Sequence, residues 1–96
     1  MYTVIFASKA KKIFKKLDNK SKKIIGRAID ELAENPFKKS NVVKLKNKGA
    51  LYRLRVSRWR IVYILFTIDK IIEVQDIFMR KEDDDYDRRL RAVLLL

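Results

Sequence analysis

Pro36, the only proline in the chain, divides the sequence into two parts with different hydrophobic periods. Before it, a short β-branched run, "YTVIFA", gives way to apolar residues at helical spacing. Ala10, Ile13, Phe14 and Leu17 form one stripe with lysines between them, and Ser8 is placed to cap its start. Asp18-Asn19 breaks that stripe and Ser21 begins another, along which Ile24, Ile25, Ala28, Ile29, Leu32 and Ala33 repeat. Pro36 stops it, because the residue before a proline avoids helical dihedrals. Beyond this point the period falls to two. "VVKLK", "LYRLRV", "WRIVYILFTI" and "IIEVQDIFM" are strand-like, with turn signals at Asn47-Gly49, Ser57-Arg58 and Asp69-Lys70. The final "DYDRRLRAVLLL" reads as a short helix with aspartates at its positive end.

Two short amphipathic helices in succession suggest an antiparallel hairpin. The pattern predicts one α+β domain over residues 1–96 in the order β-α-α-β-β-β. Its two N-terminal helices pack on one face of a twisted, mainly antiparallel sheet, and a short helix follows at the C-terminus. Two glycines and one proline leave little room for linkers, and 48% hydrophobic residues suffice for a single modest core.

The charge narrows the function. The net charge is +12, and Lys9 to Arg27 holds nine basic residues against Asp18 alone. Five of the twelve acids crowd into "EDDDYD", Glu82 to Asp87. Such a balance points to a polyanionic partner, nucleic acid first among them. Cysteine and histidine are absent, which removes disulfides, thiolate nucleophiles, most zinc sites and the commonest general base. Asp83 to Asp85 are adjacent without the spacing of a calcium loop, so neither a metal nor a cofactor is expected. No apolar run reaches the ~20 residues of a membrane span, and "MYTVIFA" is too short for a signal peptide; a cytoplasmic protein is expected.

The stretch "LYRLRVSRWRIVYIL" places four arginines on two strands. With Ser57-Arg58 as a two-residue loop, Val56 faces Trp59, Leu54 faces Ile61, Arg53 faces Val62 and Arg55 faces Arg60. Alternation then sends Arg53, Arg55 and Arg60 to one face of the sheet and Leu54, Val56, Trp59 and Ile61 to the other. Facing arginines repel, and an anion held between them relieves the repulsion; a merely solvated outer face is the plain alternative. Arg80, at the end of the last strand, has two possible places. A two-residue loop at Asp69-Lys70 sets it opposite Trp59 on the core side. A three-residue loop that includes Ile71 sets it opposite Arg60, with Ile72, Val74 and Phe78 alongside Val62, Ile64 and Phe66. Spacing leaves both open.

"LKNKGALYRLRVSRWRIVYIL", followed by "FMRKEDDDY", resembles the RelE/ParE superfamily of toxins from toxin–antitoxin systems, and its RelE-like branch in particular. RelE-type members are ribosome-dependent messenger-RNA endonucleases with a basic sheet face and a tyrosine from the C-terminal segment. The resemblance implies catalytic roles for Arg60, Arg80 and Tyr86, with Arg53 and Arg55 at positions where relatives carry lysines. It also favours the register that sets Arg80 beside Arg60. Lys44, Lys46 and Arg58 are expected near that face, in contact with the RNA backbone. A RelB-like antitoxin, the ribosome and messenger RNA are the implied partners. The ParE branch, which poisons DNA gyrase and generally lacks this arginine–arginine–tyrosine set, is the main alternative. A non-catalytic basic RNA-binding domain is another. Forked guanidinium donors suit phosphate oxygens, whereas an arginine is a poor proton acceptor. Tyr86 is a candidate acid or base, or a surface on which a base stacks, and the acids from Glu82 to Asp85 beside it oppose phenolate formation.

Overall fold

The computed structural model describes residues 1–37, 41–45 and 50–80. Strand β1 (Thr3–Phe6) leads into helices α1 (Ser8–Lys16) and α2 (Asn19–Glu34). Four strands follow: β2 (Val42–Lys44), β3 (Leu51–Val56), β4 (Trp59–Phe66) and β5 (Ile71–Met79). All four strand-like stretches of the second part form strands, so the full order is β-α-α-β-β-β-β, with the three-residue β2 as an extra edge strand. The predicted C-terminal helix lies outside the described residues.

The strands form one sheet in the order β1-β5-β4-β3-β2. Three neighbouring pairs are antiparallel, and β1 joins the edge parallel to β5. The first strand is thus closed against the last one. Backbone hydrogen bonds from Thr3 N–H to the Lys70 carbonyl and from Ala7 N–H to the Val74 carbonyl, both 2.9 Å, fasten it at either end.

The helices cover one face. Ala10 of α1 and Ile25, Ile29, Leu32 and Ala33 of α2 pack into one cluster with Leu54, Val56, Ile61, Tyr63, Leu65, Ile72, Val74 and Ile77 of the sheet. Each large aliphatic side chain so removed from water contributes about 1.5–3 kcal/mol. Phe6 and Phe14 tilt against each other at 5.5 Å between ring centres and seal α1 onto β1. Helix α1 begins at Ser8 itself, so that Ala7 and not Ser8 is its flanking residue, and α2 begins at Asn19 with Asp18 before it. One member of the expected α2 stripe also departs: Ile24 is 39% exposed.

The other face is not simply a solvated charge surface. Leu45, Leu51, Val62 and Phe78 form a second, smaller buried cluster there, with Ile64 packed against it.

Candidate nucleic-acid interface

The β3–β4 hairpin has the predicted register: Val56 pairs with Trp59, Leu54 with Ile61, Arg53 with Val62 and Arg55 with Arg60. Its two-residue loop is made possible by Ser57, which takes a left-handed φ of 55°. Leu54, Val56, Trp59 and Ile61 belong to the helix-side cluster, so Arg53, Arg55 and Arg60 alternate onto the opposite face.

The β4–β5 register matches neither expected loop. Phe66 pairs with Ile71 around a four-residue connection, Thr67 to Lys70, in which Lys70 takes a φ of 55°. Ile72 and Val74 then pair with Leu65 and Tyr63 on the helix side, not with Val62, Ile64 and Phe66. Between Val62 and Tyr63 the register shifts by one residue, with Gln75 as the extra residue on β5. Beyond the bulge Val62 pairs with Asp76, Arg60 with Phe78 and Trp59 with Met79.

That shift decides where Arg80 goes. Without Gln75 as an insertion, Arg60 would pair with Ile77, and alternation would send Phe78 to the helix side. With it, Arg60 shares its face with Phe78, and β5 ends one residue later at Met79. Just past the end of β5, Arg80 N–H donates to the Arg58 carbonyl at 2.5 Å. Arg80 therefore stands level with Arg58, two positions beyond the Arg60–Phe78 pair, rather than directly opposite Arg60.

The arginines differ in exposure. Arg55, Arg58 and Arg80 are exposed and Arg53 is half-buried. Arg60 is only 7% exposed, and its Nη1 donates to the carbonyls of Trp59 at 2.9 Å and Ser57 at 3.3 Å. Its guanidinium clasps the hairpin turn and is held in place before any ligand arrives. Lys44 departs from expectation. It pairs with Tyr52, which packs with the helix-side cluster, so it alternates away from the arginine face, while Val43 pairs with Arg53 on that face. A three-residue edge strand sets that side through its pairing, which its own sequence does not reveal. Lys46, Tyr86 and the acids from Glu82 to Asp85 lie outside the described residues.

Sequence reasoning missed Asp76. It is fully buried on β5, where its Oδ1 accepts from Ile77 N–H at 2.9 Å and its Oδ2 lies 3.4 Å from Lys9 Nζ of α1. Beside it, Gln75 Nε2 donates to Glu73 Oε1 at 2.7 Å. The polar run "EVQD" in an otherwise apolar strand was the available signal. Among the described residues no three acidic side chains converge on a possible metal site.

Residues 2–84 match the family model for the ParE toxin of the type II toxin–antitoxin system parDE. The match spans most of the chain, which therefore belongs to this family of toxins within the RelE/ParE superfamily. Among solved structures, the isolated Escherichia coli RelE toxin superposes with a TM-score of 0.74 at 20% identity, covering 97% of this chain and 99% of that one. RelE from the RelE–RelB complex of Pyrococcus horikoshii OT3 gives 0.72 at 25% identity over 82% and 94%. The RelB–RelE complex of Methanococcus jannaschii gives 0.69 at 25% over 85% and 96%. No curated protein matches the sequence.

Proposed function

We propose that this toxin acts as a RelE-like, metal-independent endoribonuclease that cuts messenger RNA on the ribosome. The observation that supports this reading is the gathering of Arg55, Arg60 and Arg80 at the β3–β4 turn end of the sheet, brought about by the hairpin register and the β5 bulge. In the reaction the RNA's 2′-oxygen bonds to the adjacent phosphorus and the bond to the 5′-oxygen breaks. The products are a 2′,3′-cyclic phosphate and a 5′-hydroxyl. Arg60 and Arg80 hold the phosphate and offset the charge that builds on its oxygens, with Arg53 and Arg55 reinforcing the field. The 2′-hydroxyl gives up a proton and the leaving 5′-oxygen takes one. Guanidinium groups stay charged, so the phenol of Tyr86 is the proton carrier in this scheme.

The test is mapping of 5′ ends on a translated message. Cutting by the wild type and a loss of about 100-fold in Arg80→Ala are expected, the size usual for removing one preorganised donor. Uncut message beside active ribosomes, or equal cutting by both proteins, refutes the reading. A gyrase poison is the second reading, favoured by the family model's ParE description; inhibition of supercoiling by the purified chain would put it first.

We also propose a RelB-like antitoxin as partner, working in the cytoplasm. The +12 charge suits an acidic, extended segment, and RelE proteins of similar fold were crystallised with RelB. No helix among the described residues is long and apolar enough to cross a membrane. Co-purification with the product of an adjacent small gene tests the pairing.

A further inference from the structure

A cleft of about 600 Å³ opens on the helix side of the sheet, at the same end as the β3–β4 turn. Leu17, Trp59 and Met79 form its apolar part, and Lys16, Lys20 and Arg58 its basic part. Its volume lies within the ~300–1,000 Å³ of small-ligand pockets. Ile24, which helical periodicity assigned to the core, is exposed here instead. The single acid in the lining is Asp18, whose carboxyl is held below its usual range chiefly by the Ser21 hydroxyl, so it stays ionised. Three cations against one anion leave the cleft positive. Lys16 also lies in the last turn of α1, at the negative end of that helix.

We propose that this cleft binds a nucleotide of single-stranded RNA, its base on the Trp59 indole and its phosphate among Lys16, Lys20 and Arg58. An indole beside several cations matches the two parts of a nucleotide, a flat π-face and an anion. The cleft also reaches the hairpin tip, where Ser57 and Arg58 line it. Arg58 lines the cleft, its carbonyl accepts the Arg80 N–H, and Trp59 and Arg60 are consecutive residues directed to opposite sides of β4. A strand whose phosphodiester lies on Arg60 and Arg80 reaches the cleft by rounding the turn. An acidic peptide would meet the same cations, but six of the ten lining residues are polar or charged, whereas a docked helix needs a continuous apolar seam. The inference deepens the ribonuclease reading, on which it rests for its ligand, by giving that site a position for a neighbouring nucleotide.

Trp59 is the only tryptophan, so its fluorescence reports on the cleft directly. The probe is a fully 2′-O-methylated tetranucleotide, which cannot be cut through its 2′-oxygen. Saturable quenching is expected, weakened about ten-fold in Lys20→Ala, with a drop of about 0.7 in the salt slope. Lys11→Ala, an exposed lysine of α1 outside the cleft lining, should leave the quenching unchanged. Arg80→Ala should keep the quenching while it loses message cutting. If messages are cut but the tetranucleotide leaves Trp59 unaffected, or Lys11→Ala weakens binding as much as Lys20→Ala, the cleft proposal falls and the nuclease reading stands. If the tetranucleotide quenches Trp59 but no message is cut, the cleft holds and the nuclease reading falls. Quenching by a leucine-rich acidic peptide but not by RNA would make the cleft a protein-docking site and overturn the proposal.

Discussion

Two polar side chains sit where apolar ones would be expected, and they behave differently. Asp76 is fully buried but has Lys9 and the Ile77 amide, so its charge links α1 to the middle of β5. Removing Lys9 is the costly change, because it leaves the buried Asp76 carboxyl without its cation, whereas Lys9 itself is half exposed. Tyr63 is as deeply buried, stacked on Tyr52 at 5.6 Å, yet its hydroxyl has no hydrogen-bond partner among the described residues. Burial, and secondarily Tyr52, push its ionisation well above the usual value of 10.0. In the unfolded chain this phenol ionises near pH 10, whereas in the folded chain it stays neutral. Its contribution to stability is therefore complete below pH 10 and is lost as pH rises further. Tyr63→Phe should be at least as stable as the wild type at pH 7, since it removes an unpaired buried group. The difference in its favour should widen above pH 10. Urea denaturation across pH 7 to 11 measures this, and parallel curves for the two proteins would contradict it.

Among the elements, α2 and β5 carry the clearest consequences. Gly26 lies in the middle of α2, and a Cβ built there meets no heavy atom within 4 Å. Glycine inside a helix costs about 0.5–1 kcal/mol relative to alanine. Gly26→Ala should therefore raise stability by that amount, or about 4 °C in a domain this small, in a thermal melt. No gain would mean that a neighbour crowds the added methyl. In β5 the bulge at Gln75 changes which side each later residue faces. It buries Phe78 with Val62 on the arginine face while keeping Ile77 among the residues under the helices. The same irregularity completes a second apolar cluster and brings Arg80 level with Arg58.

At the scale of the whole molecule, the two ends differ in character. Around the β3–β4 turn stand Arg55, Arg58, Arg80, Lys16 and Lys20, all exposed. At the far end, Tyr2 packs edge-on against Phe37 at 6.4 Å, and Phe37 and Ile68 are 70% and 95% exposed. Five cations acting on a single strand imply that the logarithm of RNA affinity falls with that of salt at a slope of about −3 to −4. A titration of a 2′-O-methyl oligonucleotide at several salt concentrations checks this, and a slope near zero would exclude the basic end as the interface. Local sequence was enough for the helical stripes, the strand-like runs and the β3–β4 register, because side-chain period and a two-residue loop are properties of neighbouring residues. It also placed Arg53, Arg55 and Arg60 on one face and Trp59 and Ile61 on the other. The parallel closure of β1 on β5, the side taken by Lys44, the burial of Arg60 and the bulge at Gln75 came only with the tertiary structure. Each depends on pairing between segments distant in sequence, and a one-residue change in such a pairing reverses every side chain beyond it while leaving the local pattern untouched.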